Sequence, residues 1–283
     1  MPGAIAGGPD LHAHPITIFP LLQSVVTINS AGLLADTSTT NAGGTLTFDS
    51  AREEVVLNLN NSAVGISHVA LPEQDWGPLH YTGTSGSKDI TVEMAKPATT
   101  NLSWTSYGTW NATTLADNSH SEAAFVTGYQ TPIGAMPTSG MAGYAGTVSG
   151  QLIVTRAGSP NGVASLALSG DGVIAAHFDS GNVVGSFSNM FVTGDSGRLP
   201  WNSVYLSGVI SGVNMFGGTT FAASAPGNAG SLGASATGSF AGTFFGPHAD
   251  ELGAVWSLSD GSGAAFGTFG AKKDPGCPGC WDY

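Results

Sequence analysis

The stretch ATGSFAGTFFGPHADELGAVWSLSDGSGAAFGTFGAKK, residues 236–273, alternates short runs of Phe, Ala, Val, Leu and Thr with glycine-rich breaks. It reads as three strands, residues 238–245, 254–258 and 264–271, joined by tight turns. The same texture runs back to about residue 140. There the candidate strands are 144–154, 163–168, 173–178, 183–191, 204–210 and 219–223, with pieces such as SGDG (169–172) and SDGSG (259–263) between them read as turns. About eight strands at this spacing point to a closed up-and-down barrel, because closure removes the edges a long glycine-rich sheet would expose. Glycines within the strands, such as Gly146, Gly185, Gly242 and Gly267, permit the sharp coiling of a small barrel.

Composition agrees with an all-β chain. Of 283 residues 42 are glycine, and only 7 Lys+Arg and 19 Asp+Glu give a net charge of -12. Ordinary domains carry about 25% charged residues, so charge-rich helices and coiled coils are excluded. A hydrophobic fraction of 41% is enough to bury one large core or two modest ones, which argues against disorder. Seven scattered basic residues cannot neutralise a run of phosphates, so nucleic acid is excluded as a partner. The most apolar window, residues 16–35, is broken by Pro20, Gln23, Ser24, Asn29 and Ser30, and no membrane-spanning helix is expected. The opening MPGAIAGGPD has neither a basic leader nor an apolar signal core. It reads as a cytosolic chain or a mature exported one, and the acidic balance favours export.

Working towards the N-terminus, IGAMPTSGMAG (133–143) reads as a linker that divides the chain near residue 135. Residues 1–42 read as a lead-in ending in the loop DTSTTNAGG (36–44). Residues 43–135 read as a first domain, 136–273 as the barrel, and 274–283 as a tail whose CPGC segment would form a local Cys277–Cys280 disulfide. In the first domain, residues 45–48 and 55–59 alternate as strands do, one strand lies near 89–93, and others follow in the aromatic stretch 102–110 and at 123–129. His120, in ADNSHSE, reads as the tip of a hairpin loop.

Residues 236–273 also resemble the closing strands of the transferrin-binding protein B barrel superfamily: a G-x-F-x-G strand, an aromatic-Gly-Pro-x-Ala-x-Glu-Leu-Gly turn and a terminal G-x-F-G-A-K. Gly238, Phe240, Gly242, Phe245, Gly246, Pro247, Ala249, Glu251, Leu252, Gly253, Gly267, Phe269, Gly270, Ala271 and Lys272 carry the match. YAGTVSG (144–150) and WTSYGTW (104–110) look like the first barrel strand and the preceding handle strand. The resemblance implies a β-rich N-terminal handle domain before an eight-stranded antiparallel barrel, exported to the surface of a Gram-negative bacterium or released from it. Relatives of this kind capture host iron proteins, complement regulators or haem. A single-lobe chain is similar to the secreted haemophores called hemophilins.

Haem capture would require an imidazole for iron and an apolar slot with aromatic walls. His80, beside Tyr81 in WGPLHYTG, and His120, near Trp110, pair imidazoles with aromatic neighbours. They are expected as alternative or paired iron ligands, with Trp76 and Tyr107 as walls and His14 or His68 as reserves. The expected role is a non-catalytic haem-binding protein that passes its ligand to a TonB-dependent outer-membrane receptor. The alternative is a surface or secreted module that binds a host or surface protein without a cofactor. Ile174 to His177 and Gly194 to Gly197 mimic serine-protease signatures, but eighteen residues between His177 and Ser196 do not suit that triad. Asp250, Glu251 and His248 match no zinc spacing and read as a structural turn.

Overall fold

The computed structural model describes residues 16–28, 34–49, 54–59, 69–74, 79–95, 100–117, 119–155, 163–194, 197–212, 214–223 and 232–276. Every element among them longer than a single turn is a strand, and no helix is long and apolar enough to cross a membrane.

The first eight strands are β1 (Ile16–Ile28), β2 (Leu34–Asp49), β3 (Glu54–Leu59), β4 (Val69–Gln74), β5 (Leu79–Ser85), β6 (Lys88–Met94), β7 (Thr105–Thr114) and β8 (His120–Gly128). Each pairs antiparallel with the next, and β8 returns to β1, so this β-rich domain is itself a closed barrel. It takes in residues 16–42, which the sequence assigns to a lead-in. Residues 36–44, read as a loop for their polarity, lie inside β2, where β1 supplies their backbone partners from Ser24↔Thr39 to Thr27↔Asp36. Threonine is a good strand former once such a partner exists.

The run Leu21 to Val26 shows why periodicity is hard to read here. Leu21, Gln23 and Val25 point into the barrel, while Leu22 and Val26 point outward against the second barrel, and all are buried. With both faces covered, the alternation vanishes from the sequence. Gln23 is accommodated in the core because its Oε1 accepts a 3.0 Å hydrogen bond from Trp110 Nε1.

A single 3-10 turn, Ile133–Ala135, leads to the second barrel. Its strands are β9 (Met141–Thr155), β10 (Val163–His177), β11 (Asn182–Gly194), β12 (Gly197–Pro200), β13 (Val204–Ile210), β14 (Met215–Ala222), β15 (Thr237–Phe245), β16 (Glu251–Asp260) and β17 (Gly263–Lys273). The order β10-β9-β17-β16-β15-β14-β13-β11 closes through β10–β11, and short β12 lies on β11. This is the eight-stranded antiparallel ring expected from the spacing. The core packs aromatic rings edge to face, with Phe187 5.6 Å from Trp256 and 5.3 Å from Phe269 between centroids.

SGDG (169–172) is not a turn: it lies within the continuous strand β10, which joins two segments read as separate strands. The glycines answer to packing instead. A Cβ on Gly172 would sit 2.6 Å from the Phe269 ring, and one on Gly170 would collide with the Met190 sulfur.

Candidate functional site

The two barrels meet wall to wall. Outward residues of β1, β7 and β8 pack on the outer wall of the second barrel, with Leu22 and Val126 against Ala241, Phe245 and Val255, and Val26 and Ala124 against Ile153 and Phe266. The approach is close because Gly253 on β16 and Gly270 on β17 are register partners and leave a shallow notch. A Cβ on Gly253 would collide with Val126 and sit 2.9 Å from Thr105; one on Gly270 would sit 2.8 Å from the Tyr107 ring.

At one end of this contact Glu251, 1% exposed, projects from the start of β16. Its Oε1 accepts the Ser103 N–H at 2.6 Å, and its Oε2 accepts those of Trp104 at 2.9 Å and Thr105 at 3.0 Å. Three donors compensate the buried charge. The turn before it is held by Tyr144, whose hydroxyl donates to the Ala249 carbonyl at 2.8 Å and is pushed well above its ordinary pKa by burial, with the Asp250 charge adding to the shift. The chain between the barrels is bound down as well. Gly246 N–H donates to Tyr129 O and Thr131 N–H to Phe244 O, both at 2.9 Å, while Asn214 Nδ2 donates to Thr131 O at 2.8 Å.

Beyond the contact the walls diverge into a cleft with two adjoining hollows of 150 and 310 Å³. Thr91, Glu93, Thr109, Asn111 and Glu122 line it from the first barrel. Gln151, Ser165, Ser149 and Thr268 line it from the second, over Phe266. Among the described residues its lining includes no histidine, cysteine, lysine or arginine. Burial raises the Glu122 carboxyl above its ordinary range, against the opposing pull of the His120 imidazole, whose Nε2 lies 3.6 Å from Oε1.

A carboxyl whose folded pKa exceeds its unfolded one destabilises the fold when ionised, and protonation relieves that cost. The Glu122 contribution should therefore grow more favourable as the pH falls from its raised folded pKa towards the ordinary glutamate range. Urea denaturation should show Glu122→Gln stabilising the protein at pH 7 and flattening this part of the pH profile. An unchanged profile would contradict it.

The residues singled out in the sequence lie in separate places. Tyr81 is fully buried inside the first barrel, and Tyr107 packs in the contact between barrels. His80 is on the outer side of β5, opposite Gln74 and Glu93. His120 is no hairpin tip: it opens β8, paired with Thr113 on β7 and with Ile28 at the end of β1. The ladder His80↔Glu93↔Thr109↔Ala124 puts His80 level with Ala124, four residues along β8 from His120. That is about 13 Å along the strands and about 14 Å across three strand spacings. The two imidazoles cannot meet on one iron, so the paired-ligand arrangement does not fit. His14, His68, Trp76, Cys277, Cys280 and Ser196 lie outside the described residues. Among the described residues no three His, Cys, Asp or Glu side chains group to hold a metal ion, and His248 donates its backbone N–H to Asp250 Oδ2 at 3.1 Å within a turn.

Residues 136–273 match the family described as C-lobe and N-lobe beta barrels of Tf-binding protein B. No curated protein matches the chain. Among solved structures it is similar to a mutant transferrin-binding protein B from Haemophilus parasuis Hp5, at 18% identity and a TM-score of 0.54, over 90% of this chain and 45% of that one. It is also similar to intact Ap-TbpB, with N and C lobes, at 17% identity and a TM-score of 0.51, over 89% of this chain and 46% of that one. The chain thus spans less than half the length of either protein. Those identities bear on fold alone, whereas the family match covers the second barrel from end to end. The second barrel, residues 136–273, is thus a barrel of the transferrin-binding protein B type.

Proposed function

We propose that the protein is a non-catalytic capture module of the bacterial cell surface, and that its partner is a host protein of the transferrin class. The observation that carries this reading is the family match over the whole second barrel, to a family named for binding transferrin. The architecture supports it: a buried carboxylate and a notched wall hold the two barrels together, which limits the entropy lost when a large partner docks. Biolayer interferometry of the immobilised protein against transferrins and lactoferrins tests the proposal. Saturable binding of one of them is expected; no binding to any overturns the partner class.

Haem capture rests on a single imidazole, and His120, held beside Glu122, is the better placed of the two described. Titration with hemin separates the readings. A protein-capture module should give no saturable Soret shift at one equivalent, and a shift lost in His120→Ala would move the assignment to haem.

A further inference from the structure

The cleft between the barrels has a chemistry of its own, independent of the capture role proposed above. Its hollows, of 150 and 310 Å³, share Glu93, Thr109, Gln151 and Phe266, so they form one cavity in two parts. Small-molecule sites favour such seams between domains. On the first barrel, register sets the hydrogen-bonding side chains in rows, Glu93↔Thr109 in one and Thr91↔Asn111↔Glu122 in the next. Strands hold them with more precision than loops would. No side-chain hydrogen bond joins Glu93 or Asn111 to another described residue, so both are free for a ligand. The facing wall is already oriented. Ser165 Oγ donates to Gln151 Oε1 at 3.1 Å, which occupies that oxygen and leaves the Gln151 amide to donate. Ser149 and Thr268 share one hydroxyl hydrogen bond at 3.0 Å, so one of the two keeps its proton to offer.

This lining excludes charged ligands of both signs. Two carboxylates, with no lysine or arginine among the described lining residues, repel phosphates, sulfates and carboxylates. They do not converge on a cation either. Glu93 is level with Ala124, two residues along β8 from Glu122, which puts their Cα atoms about 12 Å apart. Side chains stand roughly perpendicular to a sheet, and the convex outer wall of a barrel splays them further. An ammonium group only donates, and would leave the Asn111 and Gln151 amide N–H groups unanswered, whereas a sugar hydroxyl both donates and accepts.

We propose that the cleft binds a neutral saccharide of two or three rings that spans both hollows. Glu93 and Glu122 accept from its hydroxyls, and the amides of Asn111 and Gln151 donate to its oxygens. Ala95, Tyr107 and Ala167, in the larger hollow, meet its C–H faces.

Isothermal titration calorimetry of the full chain tests this, with free neutral di- and trisaccharides built from glucose, galactose, mannose and N-acetylglucosamine. Saturable binding of at least one is expected, and the matching uronic acid should bind more weakly. Asn111→Ala and Gln151→Ala should each weaken binding about threefold to tenfold, the range for one lost hydrogen bond. Leu115→Ser, on the exposed β7–β8 connection, should leave it unchanged. Circular dichroism of each variant separates lost binding from lost fold. No binding of any neutral saccharide, or binding that both alanine variants leave intact, would overturn the proposal. So would saturable binding of spermidine that the sugars do not displace, which would give the cleft to cations. Because the sugars are offered free, failure here leaves capture of a transferrin-class protein untouched, and failure of that capture leaves this site untouched.

Discussion

Replacing Glu251 with alanine should uncouple the two barrels at a cost of about 3–5 kcal/mol, the range found when one partner of a buried charged network is removed. The carboxylate accepts three backbone N–H groups from residues 103–105, and alanine leaves all three without their acceptor while opening a void at the barrel contact. Glu251→Gln should be milder. Its amide keeps one accepting oxygen, but it turns an NH2 towards at least one of the donors. Differential scanning calorimetry should resolve one transition in the parent and two in Glu251→Ala, with new proteolytic cleavage between residues 129 and 140. A single transition at the parent temperature would mean that the carboxylate contributes nothing to the joint.

The second large effect should come from filling the notch. Gly253→Val and Gly270→Leu each place a side chain where Val126, Thr105 or Tyr107 already stands, and all three neighbours lie on the paired strands β7 and β8, which cannot step aside. Overpacking of this kind typically costs about 1–3 kcal/mol, and the joint is the compliant part, so the barrels should separate rather than distort. Small-angle scattering should show a larger radius of gyration while near-ultraviolet circular dichroism retains the aromatic signature of both cores. A change confined to the second barrel's core would contradict this account. The same two positions explain why the turn ends in Glu-Leu-Gly and the last strand in Phe-Gly-Ala-Lys. Glu251 reaches across the joint, and the glycines leave room for what it holds.

The second barrel was readable from residue order because its inward and outward residues alternate between core and solvent, as at Val204 to Ile210. What misled the reading was glycine with two meanings. Gly246 and Gly181 sit in turns at φ +85 and +75, whereas Gly170 and Gly172 sit mid-strand beneath Met190 and Phe269, and a one-dimensional pattern cannot tell them apart. Closure of the first domain into its own barrel was hidden for another reason. Its first strand is buried on both faces from Leu21 to Val26 and its second is rich in threonine, so neither shows the alternation that marks a half-exposed strand. The candidate site suffered most. Imidazoles beside aromatics in sequence are not thereby neighbours in space: strand pleating sends Tyr81 inward and His80 outward, and register keeps His80 and His120 apart. Glu251 was visible as part of a turn, but its partners lie about 150 residues away, a separation no local motif encodes.

Each ring is also completed by its last strand to be synthesised: β8 returns to β1, and β17 to β9, where Gly263↔Val154 and Lys273↔Tyr144 span more than a hundred residues. Neither barrel can therefore begin to earn its closing hydrogen bonds until nearly all of its chain is present. Such long loop closures slow folding to the millisecond-to-second range typical of non-local β topologies. Because Glu251 precedes β17, the clamp residue is in place before the wall that carries Gly270 exists. Joining of the two barrels and closure of the second should then be a single late kinetic event.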